Sequence, residues 1–298
     1  MTRAQVEATP VRLATAADVA AAAQLACLLE ASAPKPGNVS PGRHFADTRY
    51  EDFLASAAAI GGPLADAGTR SVGATVRLAI ESTRRWTSSN TNLGIVLLLT
   101  PLARAAVGLP QSTNAGLREA LRRVLDATTV EDARDVYAAI RLASPGGLGQ
   151  ADSQDVASEP DVTLLAAMRL ASHRDGIARE YATAFEVTFE TGAPALERAR
   201  QDGLPWDDAV VETFLSVLAS NPDTHVVRRA GVAAAEEVSA WARQTLSAGG
   251  VRSTAGRRAI DEMDIGLRDA RNLRNPGTTA DLTTAAIFVE LLKVGSAT

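Results

Sequence analysis

A chain of 298 residues with 46% hydrophobic content is long enough to bury a substantial core, and its lone cysteine, Cys27, excludes an internal disulfide framework and a cysteine-built zinc site. Aromatic residues are only 4% of the chain, whereas the strong helix formers Ala and Leu abound, so the composition points to an all-α fold. A formal net charge of −5 gives no general attraction to nucleic acid or an anionic bilayer; a polyanionic ligand would have to be held by local Lys, Arg, backbone amides or a metal ion.

In chain order, Met1 to Leu13 lacks the continuous apolar stretch of a secretory signal. The longest apolar run, Ile95 to Leu99, is too short to span a bilayer, so no membrane association and a cytoplasmic location are expected. A first helix is predicted over Ala16–Ser32, capped by Thr15 with Asp18 in the capping-box position, and ended by Pro34 and Pro36. The Pro- and Gly-rich stretch Ala33 to Arg43 must be a loop of constrained path. Helices follow over Tyr50–Ile60, with Asp47 or Thr48 as cap and a break at Gly61-Gly62-Pro63, and over Ser71–Trp86. The polar run Thr87 to Asn92 leads into Leu93–Val107, which is apolar almost all round and therefore belongs in the middle of a bundle. Amphipathic helices are predicted over Thr113–Asp126 and Val130–Ala143, the second with a capping box in Thr129 and Asp132. After the polar loop Ser144 to Pro160 come a long helix over Asp161–Thr188 and further helices over Trp206–Ser220, Val226–Ser247, Gly256–Asn272 and Thr278–Val294. No alternating pattern requires a strand and no linker divides the chain. A single-domain multi-helix bundle over residues 1–298 is the economical expectation.

Polar residues collect at the loops that feed these helices. Lys35, Pro36, Gly37, Arg43, His44 and Asp47 form the first group: a point charge and a bidentate fork suited to phosphate, with two groups suited to acid–base or metal work. A rigid surface turn with solvated charges is the plain alternative. Asn90, Thr91, Asn92 and Gly94 precede the most apolar helix, where free N–H groups and the positive end of the helix dipole suit a phosphate. A simple cap at Asn92 or Thr91 is the alternative, but the polar run is longer than a cap needs. Gly146-Gly147-Leu148-Gly149 with Asp152, Asp155 and Asp161 matches no Walker or dinucleotide pattern, and its carboxylates could hold Mg²⁺ or simply be solvated. Later come His173, Arg174, Asp175, Arg179 and Glu180, in which Asp175 and Arg179 have the spacing of a surface salt bridge. Asp223, His225, Arg228 and Arg229 follow, and then the run Arg274 to Asp281, which includes Gly277. So many polar junctions in one bundle suit a phosphate-rich ligand without naming a reaction.

Several of these blocks resemble a known family. PKPGNVSPGRH followed by FAD is similar to the PKPGLVD…GAHxDM signature of the triphosphoribosyl-dephospho-CoA synthases, and SSNTNLG resembles their TGGVNTHKG segment in a shorter form. GGLGQADSQDV, HRDGIAREY, PDTHVVRRAG and NPGTTADL resemble later blocks, in family order from about Leu25 to Leu292. The resemblance implies an all-α enzyme that moves the triphosphoribosyl part of ATP to the 2′-hydroxyl of 3′-dephospho-CoA and releases adenine, with Mg²⁺ expected and a homodimer allowed. It implies phosphate binding by Lys35, Arg43 and Asn90 to Gly94, with Arg228 and Arg229 behind them and Asp223, Gly277 and Asp281 on the substrate side. Asp152, Asp155 and Glu180 would hold metal or stabilise a cationic ribose, and His44 or Asp47 would be the base. The family's His and Lys after the NT pair are Asn92 and Leu93 here, and its HxDM Met is Thr48. These departures leave open another acceptor, such as one in tetrahydromethanopterin-type cofactor synthesis, a non-catalytic nucleotide-binding protein, or a hydrolase that uses water.

Overall fold

The computed structural model describes residues 15–109, 113–145, 149 and 153–294, and among these no strand is present. The predicted start of the first helix is observed: α1 (Ala16–Ser32) opens with the Thr15 side chain accepting from the Asp18 amide and the Asp18 carboxylate accepting from the Thr15 amide. In α2 (Tyr50–Ala59) the cap is Arg49 rather than Asp47 or Thr48, because Asp52 reaches back to the Arg49 amide at 2.8 Å. The break expected at Gly61-Gly62-Pro63 is observed, since α2 ends at Ala59; the same residues start the short α3 (Gly61–Ala65), because a proline in a first turn gives up only an N–H that has no helical partner anyway.

Next come α4 (Val72–Thr83), α5 (Leu93–Ala106), α6 (Asn114–Asp126) and α7 (Val130–Ala143), with Ser71, Thr113 and Thr129 as the side-chain caps of α4, α6 and α7. As its composition requires, α5 is the central rod. Leu98, Leu99 and Leu102 are each 0% exposed, and each such side chain contributes roughly 2–3 kcal/mol by leaving water. Pro101 lies inside α5 and cannot donate to the Leu97 carbonyl four residues back. Tyr181 replaces the missing donor: its hydroxyl donates to Leu97 O at 2.7 Å from a fully buried position.

The long helix expected over Asp161–Thr188 is instead three pieces. α8 (Leu164–Ala171) stops before Asp175, which caps α9 (Gly176–Thr183) by accepting from the Ala178 amide at 3.0 Å. Ala184 and Phe185 then take the left-handed conformation, which ends α9, and a π-helical turn, Val187–Gly192, leads into α10 (Ala193–Gln201). α11 (Trp206–Ser220) follows as expected. The helix predicted over Val226–Ser247 is divided at Gly231, whose φ of +91° no helical residue adopts, into α12 (Thr224–Ala230) and α13 (Val232–Ser247). α14 (Thr254–Leu267) ends earlier than expected, and α15 (Gly277–Val294) closes the described chain.

α15 packs on α1, α5 and α11, α4 on α7, and α11 on α13, and one connected apolar core runs from Val19 to Val289. No helix is long and apolar enough to cross a membrane among the described residues.

Candidate active site

Several helix starts converge on one cleft with a volume of about 1360 Å³. α5 enters it with Asn90, Thr91, Asn92 and Gly94, α15 with Gly277, Thr278 and Asp281, α12 with His225, Arg228 and Arg229, and the approach to α9 with His173, Arg174 and Asp175. Exposed Asp47 and half-buried Thr48 lie at its rim, buried Glu30 of α1 reaches its floor, and Tyr137, Gln154 and Val156 also line it.

At the head of α5 the simple-cap alternative fails. Asn92 occupies the cap position but makes no capping bond; its amide nitrogen donates to Thr83 Oγ1 at 2.9 Å. Asn90 Oδ1 accepts from the Leu93 amide at 3.2 Å instead, and Thr91 hydrogen-bonds Ser56, with both side chains buried. The Gly94 and Ile95 amides have no partner among the described residues, so the positive end of the dipole opens on the cleft. Asp281 stands against this turn: a Cβ built on Gly94 would lie 2.1 Å from Asp281 Oδ2. Only glycine lets the carboxyl come so close.

On α15, Gly277 and Asp281 are one helical turn apart and share a face. Over Gly277 sits His225, whose Nδ1 would be 2.2 Å from a Cβ there. Burial first, and then Arg228 and Arg229, lower the imidazole to about 4, so His225 is neutral at pH 7. Arg228 is anchored by Asp175 at 2.7 Å, and Arg229 donates to the Arg271 carbonyl at 2.6 Å. Asp175 thus pairs across the cleft with Arg228, not with Arg179 as the spacing suggested; Arg179 faces Glu186 at 3.7 Å. Burial, reinforced by Glu30 and Asp223 and opposed by Arg228, pushes the Asp281 carboxyl well above the usual carboxylate range.

Other predicted site residues lie elsewhere. Lys35 is 0% exposed; it pairs with Glu30 at 3.0 Å and donates to the carbonyls of Glu30 and Ala33, which uses its donors within its own turn. Pro36 is buried in the same loop, and the Gly37 amide donates to Asp264 at 2.8 Å with φ +72° and Leu267 packed against it. Arg43 pairs with Asp264 at 3.0 Å and Asp261 at 3.7 Å, away from the cleft. His44 accepts from the Tyr50 amide at 3.2 Å and does not line the cleft. Asp223 is a buried structural group: it caps α12 and takes the Thr279 amide and hydroxyl, each at 2.7 Å. Glu180 is 0% exposed and accepts from the Val187 and Thr188 amides at 2.9 Å, tying α9 to the π-helical turn. Asp155 accepts from the Ala157 amide at 2.8 Å, outside the cleft lining. Asp152, Gly146, Gly147 and Leu148 lie outside the described residues. Among the described residues no group of three or more His, Cys, Asp or Glu side chains is arranged to hold a metal.

Glu30 escaped notice in the sequence. The available signal is that it lies three residues after Cys27 on the buried stripe of α1, where a charged side chain is 2% exposed only if something answers it.

Fold and cleft together define an all-α protein with a roomy cleft framed by helix starts. The sequence pattern of the ATP:dephospho-CoA triphosphoribosyl transferase family matches residues 16–298, and the chain belongs to that family. Among its relatives, a Pseudomonas fluorescens protein named "Probable 2-(5''-triphosphoribosyl)-3'-dephosphocoenzyme-A synthase" is 30% identical over 70% of this chain and 62% of its own length. An Azotobacter vinelandii protein of the same name is 32% identical over 40% of each chain. The chain therefore spans less than two thirds of these relatives. A crystal structure described as a "putative triphosphoribosyl-dephospho-coA synthase" from Archaeoglobus fulgidus superposes with a TM-score of 0.62 at 28% identity, covering 82% of this chain and 99% of that one.

Proposed function

We propose that the protein transfers the 5-triphosphoribosyl group of ATP to the 2′-hydroxyl of 3′-dephospho-CoA or a related acceptor. The bond from ribose C1 to adenine breaks, a bond from C1 to the acceptor oxygen forms, and the hydroxyl proton is given up as adenine leaves with one proton gained. The observation that carries this reading is the head of α5, where the Gly94 and Ile95 amides, without a partner among the described residues, open on a cleft that also holds Arg174, Arg228 and Arg229. Preorganised amides and guanidinium groups neutralise the oxygens of a triphosphate without reorganisation. At about 1360 Å³ the cleft exceeds the roughly 300–1,000 Å³ usual for one small ligand, which suits two nucleotide-sized substrates held side by side.

In this reading Asn90, Thr91, Asn92, Gly94, Arg228, Arg229 and Gly277 line the substrate, and Asp47 at the rim receives the proton of the attacking hydroxyl. Carboxyl groups at the floor face the positive charge that develops on ribose as adenine departs. Lys35, Pro36, Gly37, Arg43 and Asp223 hold the frame, and Mg²⁺ accompanies the triphosphate. Leu93, in place of the family's Lys, removes one cation from the helix start, which favours a related acceptor over an unchanged one.

The test is incubation with ATP and a panel of hydroxyl acceptors that includes dephospho-CoA, with chromatography for adenine and mass spectrometry for the adduct. Adenine with an equimolar triphosphoribosyl adduct is expected. Adenine with free ribose triphosphate would mean water is the acceptor, and the absence of adenine would overturn the reading.

A further inference from the structure

Resting on that reading, we propose that Asp281, together with the side-chain oxygen of Asn92, binds a divalent cation that bridges the protein to the triphosphate at the head of α5. Asp281 lines the cleft and makes no hydrogen bond or ion pair among the described residues. It lies against Gly94, beside the amides that would receive a phosphate. A carboxylate and a phosphate drawn to one helix start repel each other unless a cation lies between them.

The second oxygen is independent of the carboxylates. Asn92 is 4% exposed and lines the cleft. Its amide nitrogen is committed to Thr83, it does not cap α5, and its Oδ1 has no partner among the described residues. An amide oxygen left open on the cleft is a ready acceptor for a ligand or a cation. Glu30 lines the same cavity from α1 and is paired with Lys35 at 3.0 Å, so it does not compete for the metal.

The donor set explains why no self-contained metal cluster is present among the described residues. Magnesium keeps several waters and takes one or two protein oxygens plus substrate phosphates, so the site is complete only with the nucleotide. The metal therefore belongs at the junction of α5 and α15, not at Asp155, whose carboxylate serves its own turn at the Ala157 amide.

The experiment measures ATP binding calorimetrically on the full chain without acceptor, in excess Mg²⁺ and in EDTA, for the wild type, Asp281→Asn and Asn92→Ala. In the wild type Mg²⁺ should strengthen binding by at least about tenfold, the loss typical of removing one charge-assisted contact. Asp281→Asn should abolish that gain yet bind metal-free ATP as well as the wild type, because the carboxyl reaches the triphosphate only through the cation. Asn92→Ala should lower the Mg²⁺ gain in part. Water-proton relaxation of Mn²⁺ supplies a second readout: an enhanced ternary signal in the wild type, lost in Asp281→Asn, with circular dichroism confirming that the variants stay folded. A full Mg²⁺ gain in Asp281→Asn, or weakened binding with and without metal alike, overturns the assignment and makes Asp281 a structural or direct nucleotide contact. Equal wild-type affinity with and without Mg²⁺ overturns the metal alone. No ATP binding under either condition overturns the transferase reading with it.

Discussion

Single side chains divide here into those whose neighbours leave them open to a ligand and those whose neighbours consume them. Asp47, exposed at the rim, has its own backbone carbonyl held by the Ser89 hydroxyl at 2.9 Å, while its carboxylate accepts only from Thr48 at 3.3 Å among the described residues. Asp47→Asn should reduce turnover by on the order of a hundredfold or more, as loss of a general base does, with helical content and melting unchanged. Near-normal turnover would remove Asp47 from the mechanism. His225 carries a pH prediction. Its imidazole is lowered from 6.5 to about 4, so between those values the unfolded chain binds the extra proton and the folded one does not. Stability should hold above about pH 6.5 and fall as the pH drops towards 4, and His225→Asn should flatten that part of the melting-temperature profile.

At the scale of elements, the loop after α1 is a structural latch. Lys35 answers Glu30, Gly37 donates to Asp264, Asn38 meets Asn275 at 3.2 Å, and the Arg268 guanidinium donates to the Asn38 carbonyl at 2.6 Å. The loop thereby ties α1 to α14 and to the turn that starts α15, and so fixes the helix that bears Asp281. Lys35→Met leaves Glu30 buried without its partner, which should cost on the order of 3–5 kcal/mol of stability, measured by denaturant unfolding. The double variant Glu30→Gln, Lys35→Met should recover part of this. If the single variant is as stable as the wild type, the pair does not hold the latch. A loop rich in Pro and Gly announced itself in the sequence, but a basic residue in such a loop looks the same whether it waits for phosphate or closes on a carboxylate five residues back. Only the packing of the loop against α14 and the turn before α15 distinguishes the two.

For the molecule as a whole, the apolar core is continuous from Val19 to Val289, and α15 packs on helices from both ends of the chain. We propose that residues 1–298 form one folding unit, so calorimetry should give a single transition whose calorimetric and van't Hoff enthalpies agree. Two resolved transitions would divide the chain.

Helix content, most helix starts and the central place of α5 were determined by the sequence alone, because they depend on neighbours within one turn: Thr15 with Asp18, Thr129 with Asp132, and an apolar run with no polar face to spare. The breaks at Asp175 and Ala184 were hidden, since a residue reads as helical until a distant partner competes for it. Asp175 is claimed by Arg228, and Glu180 by the turn beyond α9. Membership of the site was a tertiary decision throughout. Asn92, Arg228, Gly277 and Asp281 come together because α5, α12 and α15 start at the same end of the bundle, whereas Lys35, Arg43 and Glu180, no less polar in sequence, found their counter-charges and amides on the way there.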